Sequence, residues 1–168
     1  MEPQDEEKGS ESLMGDIGGE ERIAAPRDVV WAALNDPDML KPCIPGCQTL
    51  EWISANELEA SIRVRIGPIP AHFSGKITLS DVVAPESYTI SGQGKGGIAG
   101  FAKGSAKVRL KADGNETLLH YETEAQLGGR LAKLGAKLIA AAAQKLGSRF
   151  FADFSEAVTR RASDARNG

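Results

Sequence analysis

The sequence has few of the residues that most often form cross-links or carry chemistry. Its 168 residues include two cysteines, two histidines and only 5% aromatic residues. Two cysteines are too few for a disulfide framework and are consistent with a reducing cytoplasm. No run of about 18 apolar residues occurs, so we expect no membrane-spanning helix. A basic segment followed by an apolar one is also missing at the start, so we expect no signal peptide.

Net charge is also small, at −3, and it is unevenly placed. The first 13 residues hold five acids against Lys8 and so carry −4, which leaves +1 for the rest of the chain. A nearly neutral body has no field that would drive nucleic-acid binding, so we expect no nucleic-acid partner. Because residues 1–12 are polar and show no periodicity, they are predicted to form a disordered acidic tail.

The remaining composition is typical of one soluble domain. Hydrophobic residues make up 41% of the chain and charged residues 26%, close to the average for globular proteins. A chain of this length normally forms a single domain that needs no metal or disulfide for stability. We therefore predict one domain over residues 13–162, followed by a flexible tail over residues 163–168.

Hydrophobic periodicity predicts an α+β fold. A short strand is expected within residues 13–25, then a helix that begins after Pro26 and a second short helix containing Met39 and Leu40. From Glu57 the period becomes two, which predicts an antiparallel meander with one dry face. Its strands are expected at residues 57–66, 71–80, around 88–92, 102–110 and 119–127. Residues 130–162 contain no proline and are rich in alanine and leucine, which predicts one long helix covering the dry face.

Residues 92–97 read Gly-Gln-Gly-Lys-Gly-Gly and match the G-x-G-x-x-G pattern of dinucleotide-binding loops. That loop binds a pyrophosphate only when it opens a helix. Here the following residues have the period of a strand. The pattern therefore favours a glycine-rich hairpin turn over a nucleotide site.

The cysteines and histidines of the sequence give little support to metal binding or nucleophilic catalysis. Cys43 and Cys47 could supply two thiolates, but a structural zinc needs four ligands. His72 and His120 both fall on the polar, outward phase of their strands, away from the dry face. We therefore expect no metal site and no catalytic triad, and we interpret the two cysteines as small side chains around a Pro-Gly turn.

Small residues dominate the two surfaces that should pack together. On the long helix they are Gly135, Ala136, Ala140, Ala141, Ala142, Ala143 and Gly147; on the sheet they are Ala60, Ala71, Gly75, Gly104, Ala106 and Ala125. Such residues either bring a helix and a sheet close together or leave a cavity. A sheet that curves away from the helix favours the cavity, which an apolar ligand could fill. Close packing is the alternative.

Basic residues on the long helix are the other marked feature. They are Arg130, Lys133, Lys137, Lys145, Arg149, Arg160 and Arg161, against only Asp153 and Glu156 up to residue 162. A face of this kind attracts anionic lipid headgroups or an acidic partner. An exposed Phe151 would strengthen the membrane interpretation. The alternative is an ordinary solvated helix face.

Several segments together resemble the CoxG family, which is named for the CoxG subunit of carbon monoxide dehydrogenase. They are Ala25-Pro26-Arg27-Asp28-Val29-Val30-Trp31, Leu34-Asn35-Asp36-Pro37, Ile44-Pro45-Gly46-Cys47, Gly67-Pro68, Phe73-Ser74-Gly75, the run from Gly94 to Gly104, and Gly128-Gly129-Arg130-Leu131. The resemblance covers roughly residues 14–160. The family belongs to the SRPBCC superfamily of START and birch-pollen-allergen-like (Bet v 1-like) proteins.

The resemblance implies a helix-grip fold, with a curved antiparallel sheet and two short helices around a long C-terminal helix and a hydrophobic tunnel. It also implies a non-catalytic accessory role for a molybdenum-containing dehydrogenase of the carbon monoxide dehydrogenase type. The protein would be cytoplasmic and would contact the inner face of the membrane peripherally through its basic C-terminal helix. Its expected ligand is a quinone or another lipid, with no covalently bound cofactor.

Within that fold we assign a set of ligand-binding positions. The expected tunnel lining is Ile62, Val64, Phe73, Ile77, Tyr121, Leu138, Ile139 and Ala142. The expected mouth lies at the turns containing Gly67, Pro68, Gly97 and Phe101. Tyr121 is expected to donate the hydrogen bond that a quinone oxygen accepts. Two alternatives stay open: an assembly factor with no small-molecule ligand, and an enzyme similar to the polyketide cyclases and hydrolases of the same superfamily.

Overall fold

A computed structural model describes residues 10–12 and 17–167 and shows one curved antiparallel sheet wrapped against a long helix. The strands are β1 (Ser10–Ser12), β2 (Ile17–Ile23), β3 (Cys47–Ser54), β4 (Glu57–Ile66), β5 (Ile69–Val83), β6 (Ser87–Lys95), β7 (Phe101–Asp113) and β8 (Glu116–Gly128). The α-helices are α1 (Arg27–Leu34), α2 (Pro37–Leu40) and α3 (Ala136–Asn167), with 3₁₀ turns at Lys41–Cys43, Gly97–Ala99 and Leu131–Leu134. This architecture confirms the predicted fold class.

The sheet is a meander in which strands β3 to β8 lie side by side in chain order, each antiparallel to the next. Both β1 and β2 pair with the free edge of β8, β1 near its end and β2 along its first half. The last strand of the sheet therefore pairs with the first two strands of the chain. Between β5 and β6 the sheet coils tightly at Gly75, where a Cβ would overlap the carbonyl of Gln93.

Helix α3 is held by apolar packing at both ends. Toward its C-terminus, Phe154 and Val158 are fully buried in a cluster with Ile23, Val30 and Leu119. Near its start, Ile139 lies in a second buried cluster, whose other members are Ile69, Ala71, Ala99, Leu127 and Leu131. The middle of α3 contributes no fully buried side chain to either cluster. The helix is therefore held against the sheet at its two ends.

Helices α1 and α2 cover one side of the space between α3 and the sheet. The Asp36 side chain accepts a hydrogen bond from the backbone N–H of Asp38 and so caps α2, while the Asn35 amide donates to the carbonyl of Trp31 and ends α1. The hydroxyl of Thr117, fully buried, donates to the carbonyl of Ala25 at 2.8 Å. This bond ties the start of α1 to β8.

The structure differs from the sequence prediction at four places. Strand β3 was not predicted, because bulges interrupt its alternation and only Leu50 is buried along it. The long helix begins six residues later than expected, since Gly135 with φ +88 separates it from a 3₁₀ turn. It also continues to Asn167, through most of the predicted C-terminal tail. Residues 10–12 of the predicted acidic tail form β1; residues 1–9 and 13–16 lie outside the described residues.

The glycine-rich run at residues 92–97 confirms the hairpin interpretation. Strand β6 continues to Lys95, and a single 3₁₀ turn leads directly into β7. A strand follows this loop where a dinucleotide-binding loop would open a helix. The loop therefore lacks the helix N-terminus that receives the pyrophosphate in a dinucleotide-binding loop.

Candidate functional site

A cavity of about 720 Å³ lies between the concave face of the sheet and the middle of α3. Volumes of this size are typical of pockets that bind small molecules. The sheet side is mainly apolar and comprises Leu50, Leu58, Ile77, Leu79, Ile90, Ala106, Val108 and Leu119, together with the phenols discussed below. Leu34, Leu40 and Ile44 close the side next to α1 and α2.

The helix side of the cavity is made of small residues. Ala140, Ala143 and Gly147 face the sheet, and a Cβ at Gly147 would meet no described heavy atom within 4 Å other than the backbone of its own helix. Since the clusters at both ends hold α3 at a fixed height, small side chains in the middle leave space instead of closing the gap. The predicted cavity is therefore present, and close helix-to-sheet packing is not observed along this stretch.

Two tyrosines bring hydroxyl groups to the cavity. Tyr88 on β6 is 3% exposed and packs edge-on against Trp31 with ring centroids 5.2 Å apart. Burial raises its pKa well above the ordinary value of a phenol. Tyr121 on β8 is half-buried, and burial followed by the nearby charge of Glu21 raises its pKa as well. Both hydroxyls therefore stay protonated at neutral pH and can donate hydrogen bonds.

Among the described residues, charged groups line the cavity only at one end. Glu20 and Glu21 line it at β2, and Gln144 and Ser148 lie on the facing turns of α3. Neither lysine nor arginine occurs among the lining residues of the described chain. A ligand carboxylate or phosphate would find no counter-charge there, so the cavity suits a neutral molecule with hydrogen-bond acceptors.

Phe151 stands at the boundary between the cavity and an outer groove of about 780 Å³ formed by β2 and α3. Glu21, Ser148 and Phe151 line both spaces. The Phe151 ring stacks on Tyr121, with centroids 5.1 Å apart and an interplanar angle of 28°. This side chain is half-buried, so it does not supply the exposed aromatic that the membrane interpretation had invoked. It separates the cavity from solvent at this side.

The structure brings only part of the predicted tunnel lining to the cavity. Ile77 and Tyr121 line it. Ile139 is buried in the cluster at the start of α3, and Phe73 packs against that cluster. Ile62 is half-buried on β4 opposite Phe73 and is not among the cavity residues.

The other three predicted lining residues, Val64, Leu138 and Ala142, line a separate groove between β4 and the opposite face of α3. Sequence periodicity assigned a dry stripe to α3 but not the direction it faces. The face of α3 that points to the cavity is determined by which of its helical turns are buried in the clusters at its two ends. Those long-range contacts are visible only in the folded chain.

The predicted mouth lies apart from the cavity. Gly67 lines the separate groove, Pro68 and Gly97 are exposed, and Phe101 is 41% exposed. Near these turns, the buried cluster around Leu131 fills the space between sheet and helix. Access through β2 and α3, past Phe151, is the opening that the cavity lining indicates.

Four further cavity residues were not predicted from the sequence: Tyr88, Gln144, Ser148 and Phe151. Tyr88 could have been predicted, because it alternates with Ile90 and Gly92 on one side of its strand. No side of that strand had been assigned to the dry face. Cys43 is buried and Cys47 half-buried, and both are free thiols with a pKa raised by burial. No group of three potential metal ligands occurs within the described residues.

A curved antiparallel sheet that grips a long helix around an internal cavity defines the helix-grip class of proteins, to which START-like and birch-pollen-allergen-like folds belong. The chain is a member of the CoxG family of carbon monoxide dehydrogenase subunits, whose model matches residues 19–159. This membership confirms the resemblance seen in the sequence. A search of curated proteins finds no match.

Solved structures show the same architecture. A conserved protein from Geobacillus kaustophilus is 27% identical with a TM-score of 0.80, over 85% of this chain and 94% of that one. The Zhui aromatase/cyclase from Streptomyces sp. R1128 is 16% identical with a TM-score of 0.57, over 92% and 94%. Norcoclaurine synthase from Thalictrum flavum is 14% identical with a TM-score of 0.56, over 94% and 98%. The latter two likenesses bear on the fold alone.

None of the helices in residues 10–12 and 17–167 combines the length and the apolar character needed to cross a bilayer. Helix α3 is long enough, at 32 residues, but polar and charged side chains recur along it.

Proposed function

We propose that this protein is a non-catalytic accessory factor that carries a neutral hydrophobic ligand, of the quinone class, for a molybdenum-containing dehydrogenase. The observation that carries the proposal is the cavity of about 720 Å³ with an apolar body, two protonated phenols and no cationic lining residue in the described chain. Burial of apolar ligand surface would supply the affinity, and the phenols would donate to the ligand's carbonyl oxygens.

Family membership supports the choice of partner. The CoxG family is described as a subunit of carbon monoxide dehydrogenase, so a dehydrogenase of that type is the proposed partner. A carrier that presents a quinone beside such an enzyme would let electrons pass from the enzyme to the quinone and on to a membrane acceptor. The same role includes peripheral contact with the inner face of the cytoplasmic membrane through basic residues of α3.

Identification of the bound ligand tests the carrier role. The protein is purified under mild conditions and extracted with organic solvent, and the extract is analysed by mass spectrometry. We expect a quinone at close to one equivalent, and none from a Gly147→Leu variant whose added side chain occupies the cavity. A blank extract that stays blank after incubation with quinones would contradict the carrier role and favour a ligand-free assembly factor.

Similarity of fold to the aromatase/cyclase and to norcoclaurine synthase keeps an enzyme as the second candidate. Acid–base catalysis requires a group that accepts a proton near neutral pH. Burial keeps the pKa of Tyr88 and of Tyr121 above the ordinary value, so these phenols are poor bases. Turnover of an aromatic ketone that is lost in Tyr121→Phe would favour the enzyme.

A further inference from the structure

A second concavity, which we call the basic groove, lies between β4 and the face of α3 that points away from the cavity. It encloses about 560 Å³ and shares no lining residue with the cavity. Four cationic residues line it, Arg63 and Arg65 from β4 and Lys145 and Arg149 from α3. Lys145 and Arg149 are four residues apart and so lie on one face of the helix. The cations therefore converge from two separate elements.

These four charges have no anionic partner in the described part of the chain. The ion pairs there involve Arg22, Arg160, Arg161 and His120. Within residues 10–12 and 17–167, no acidic residue lines the groove. Four like charges around one concavity repel one another, so an anion that binds between them gains from all four. Three of the four cations are guanidinium groups, which favour phosphate because its oxygens accept paired hydrogen bonds from their planar fork.

The local backbone fixes the β4 side of the groove. The backbone N–H of Arg63 donates to the carbonyl of Gly46 at 2.8 Å. Gly46 has φ +76, and a Cβ at this position would overlap the carbonyl of Arg63. The turn and the strand are therefore in close contact, which fixes the backbone of β4 at Arg63.

Between the cations the groove has an apolar floor. Leu138 is 40% exposed there, and Val64 and Leu146 lie beside it. A free phosphate would leave this surface in water, whereas an amphiphile would cover it with hydrocarbon. From Leu138 to Arg149 the groove follows about 16 Å of helix at 1.5 Å per residue. Its chemistry is thus a negative headgroup next to an alkyl chain.

We infer that the basic groove binds the phosphate headgroup of an anionic phospholipid at a bilayer surface. This inference rests on the proposed membrane role but not on the identity of the cavity ligand. It assigns the contact to a groove built by β4 and α3 together, including Arg63 and Arg65. The sequence alone predicts membrane contact only through the C-terminal helix.

Vesicle co-sedimentation tests the inference. The full chain is mixed with vesicles of phosphatidylcholine, with or without phosphatidylglycerol. We expect binding only to the vesicles that contain phosphatidylglycerol. The double variants Arg63→Gln/Arg65→Gln and Lys145→Gln/Arg149→Gln should each weaken it roughly tenfold or more. The control, Lys107→Gln/Arg109→Gln, removes the same charge from exposed residues on the outer face of β7 and should bind like the parent.

Three results would overturn the inference: equal binding to neutral vesicles, an equal loss in the control variant, and no loss in either groove variant. Saturation of the groove by inorganic phosphate without vesicle binding would assign it to a free anion instead. Circular dichroism and thermal unfolding confirm that each variant is folded. Quinone binding, measured on the same variants, should be unchanged, so failure of the groove and failure of the cavity are distinguishable.

Discussion

Tyr121 and Phe151 stack face to face across the gap between β8 and α3, with their ring centroids 5.1 Å apart. Both side chains line the cavity, and Phe151 also lines the outer groove beside β2. Phe150 extends the aromatic row by packing edge-on against Phe151 at 5.1 Å. The pair thus forms the partition that a ligand has to pass on this side.

Removal of the partition should speed ligand exchange. We expect Phe151→Ala to release a bound naphthoquinone at least several-fold faster, because the cavity and the outer groove then join. Loss of a half-buried phenyl ring should also lower the free energy of unfolding by roughly 2 kcal/mol. Stopped-flow displacement measures the rate. The matched control is Phe101→Ala at the mouth predicted from sequence; a faster release in that variant alone would place the opening there instead.

Filling the cavity should abolish binding without unfolding the protein. In Gly147→Leu the new side chain enters space in which no atom outside the backbone of its own helix lies within 4 Å of its Cβ, and replacement of a helical glycine favours the helix by up to about 1 kcal/mol. We expect quinone affinity to fall below detection by isothermal titration calorimetry while the melting temperature stays equal or rises. Ala141→Leu, on the basic-groove face of α3, is the control and should bind normally. Full affinity in Gly147→Leu would show that the ligand binds elsewhere.

A single hydroxyl should contribute measurably to quinone affinity. Among the described residues Tyr88 has no hydrogen-bond partner for its hydroxyl, although the ring is buried next to Trp31. We expect Tyr88→Phe to weaken quinone binding about 2- to 12-fold, the equivalent of a net hydrogen bond of 0.5–1.5 kcal/mol. A ligand without carbonyl oxygens should bind both proteins alike, and equal loss for that ligand would point to altered packing.

The hydrogen bond between Thr117 and Ala25 should matter for stability rather than binding. Thr117→Val keeps the shape of the side chain but leaves the buried carbonyl of Ala25 without this donor. We expect the free energy of unfolding to fall by about 1–3 kcal/mol in urea titrations. Thr117→Ser retains the hydroxyl and should recover most of the loss. An unchanged urea midpoint in the valine variant would mean that another donor reaches the carbonyl.

Local patterns predicted most of the fold. Alternation at Leu58, Ala60 and Ile62 fixed the dry face of β4, and the proline-free run after Gly129 predicted a long helix. Strand β3 was not predicted because its bulges break the alternation of apolar and polar residues. Its pairing with β4 in the folded chain identifies it. The break at Gly135 depends on a left-handed backbone conformation that an isolated glycine in a helical pattern does not reveal.

The site was predicted less well than the fold. Tyr121 and Ile77 line the cavity, and their side of the sheet could be predicted because each strand has only two faces. Leu138 and Ala142 line the basic groove instead, because a helix can present any of its faces to the sheet. Here the choice is made by distant contacts, with Ile139 packing at one end and Phe154 at the other. Such contacts are a property of the whole fold and not of the helix sequence.

Burial of Tyr88 should also make stability decline at alkaline pH. Its pKa is raised well above the value of about 10 for an unfolded chain, so above pH 10 the unfolded state releases a proton that the folded state retains. Stability linked to this group is therefore complete below pH 10 and is lost as pH rises toward the folded-state pKa. Relative to Tyr88→Phe, the parent should lose up to about 1.4 kcal/mol between pH 10 and 11 in urea titrations. Parallel losses in the two proteins would assign the decline to other groups.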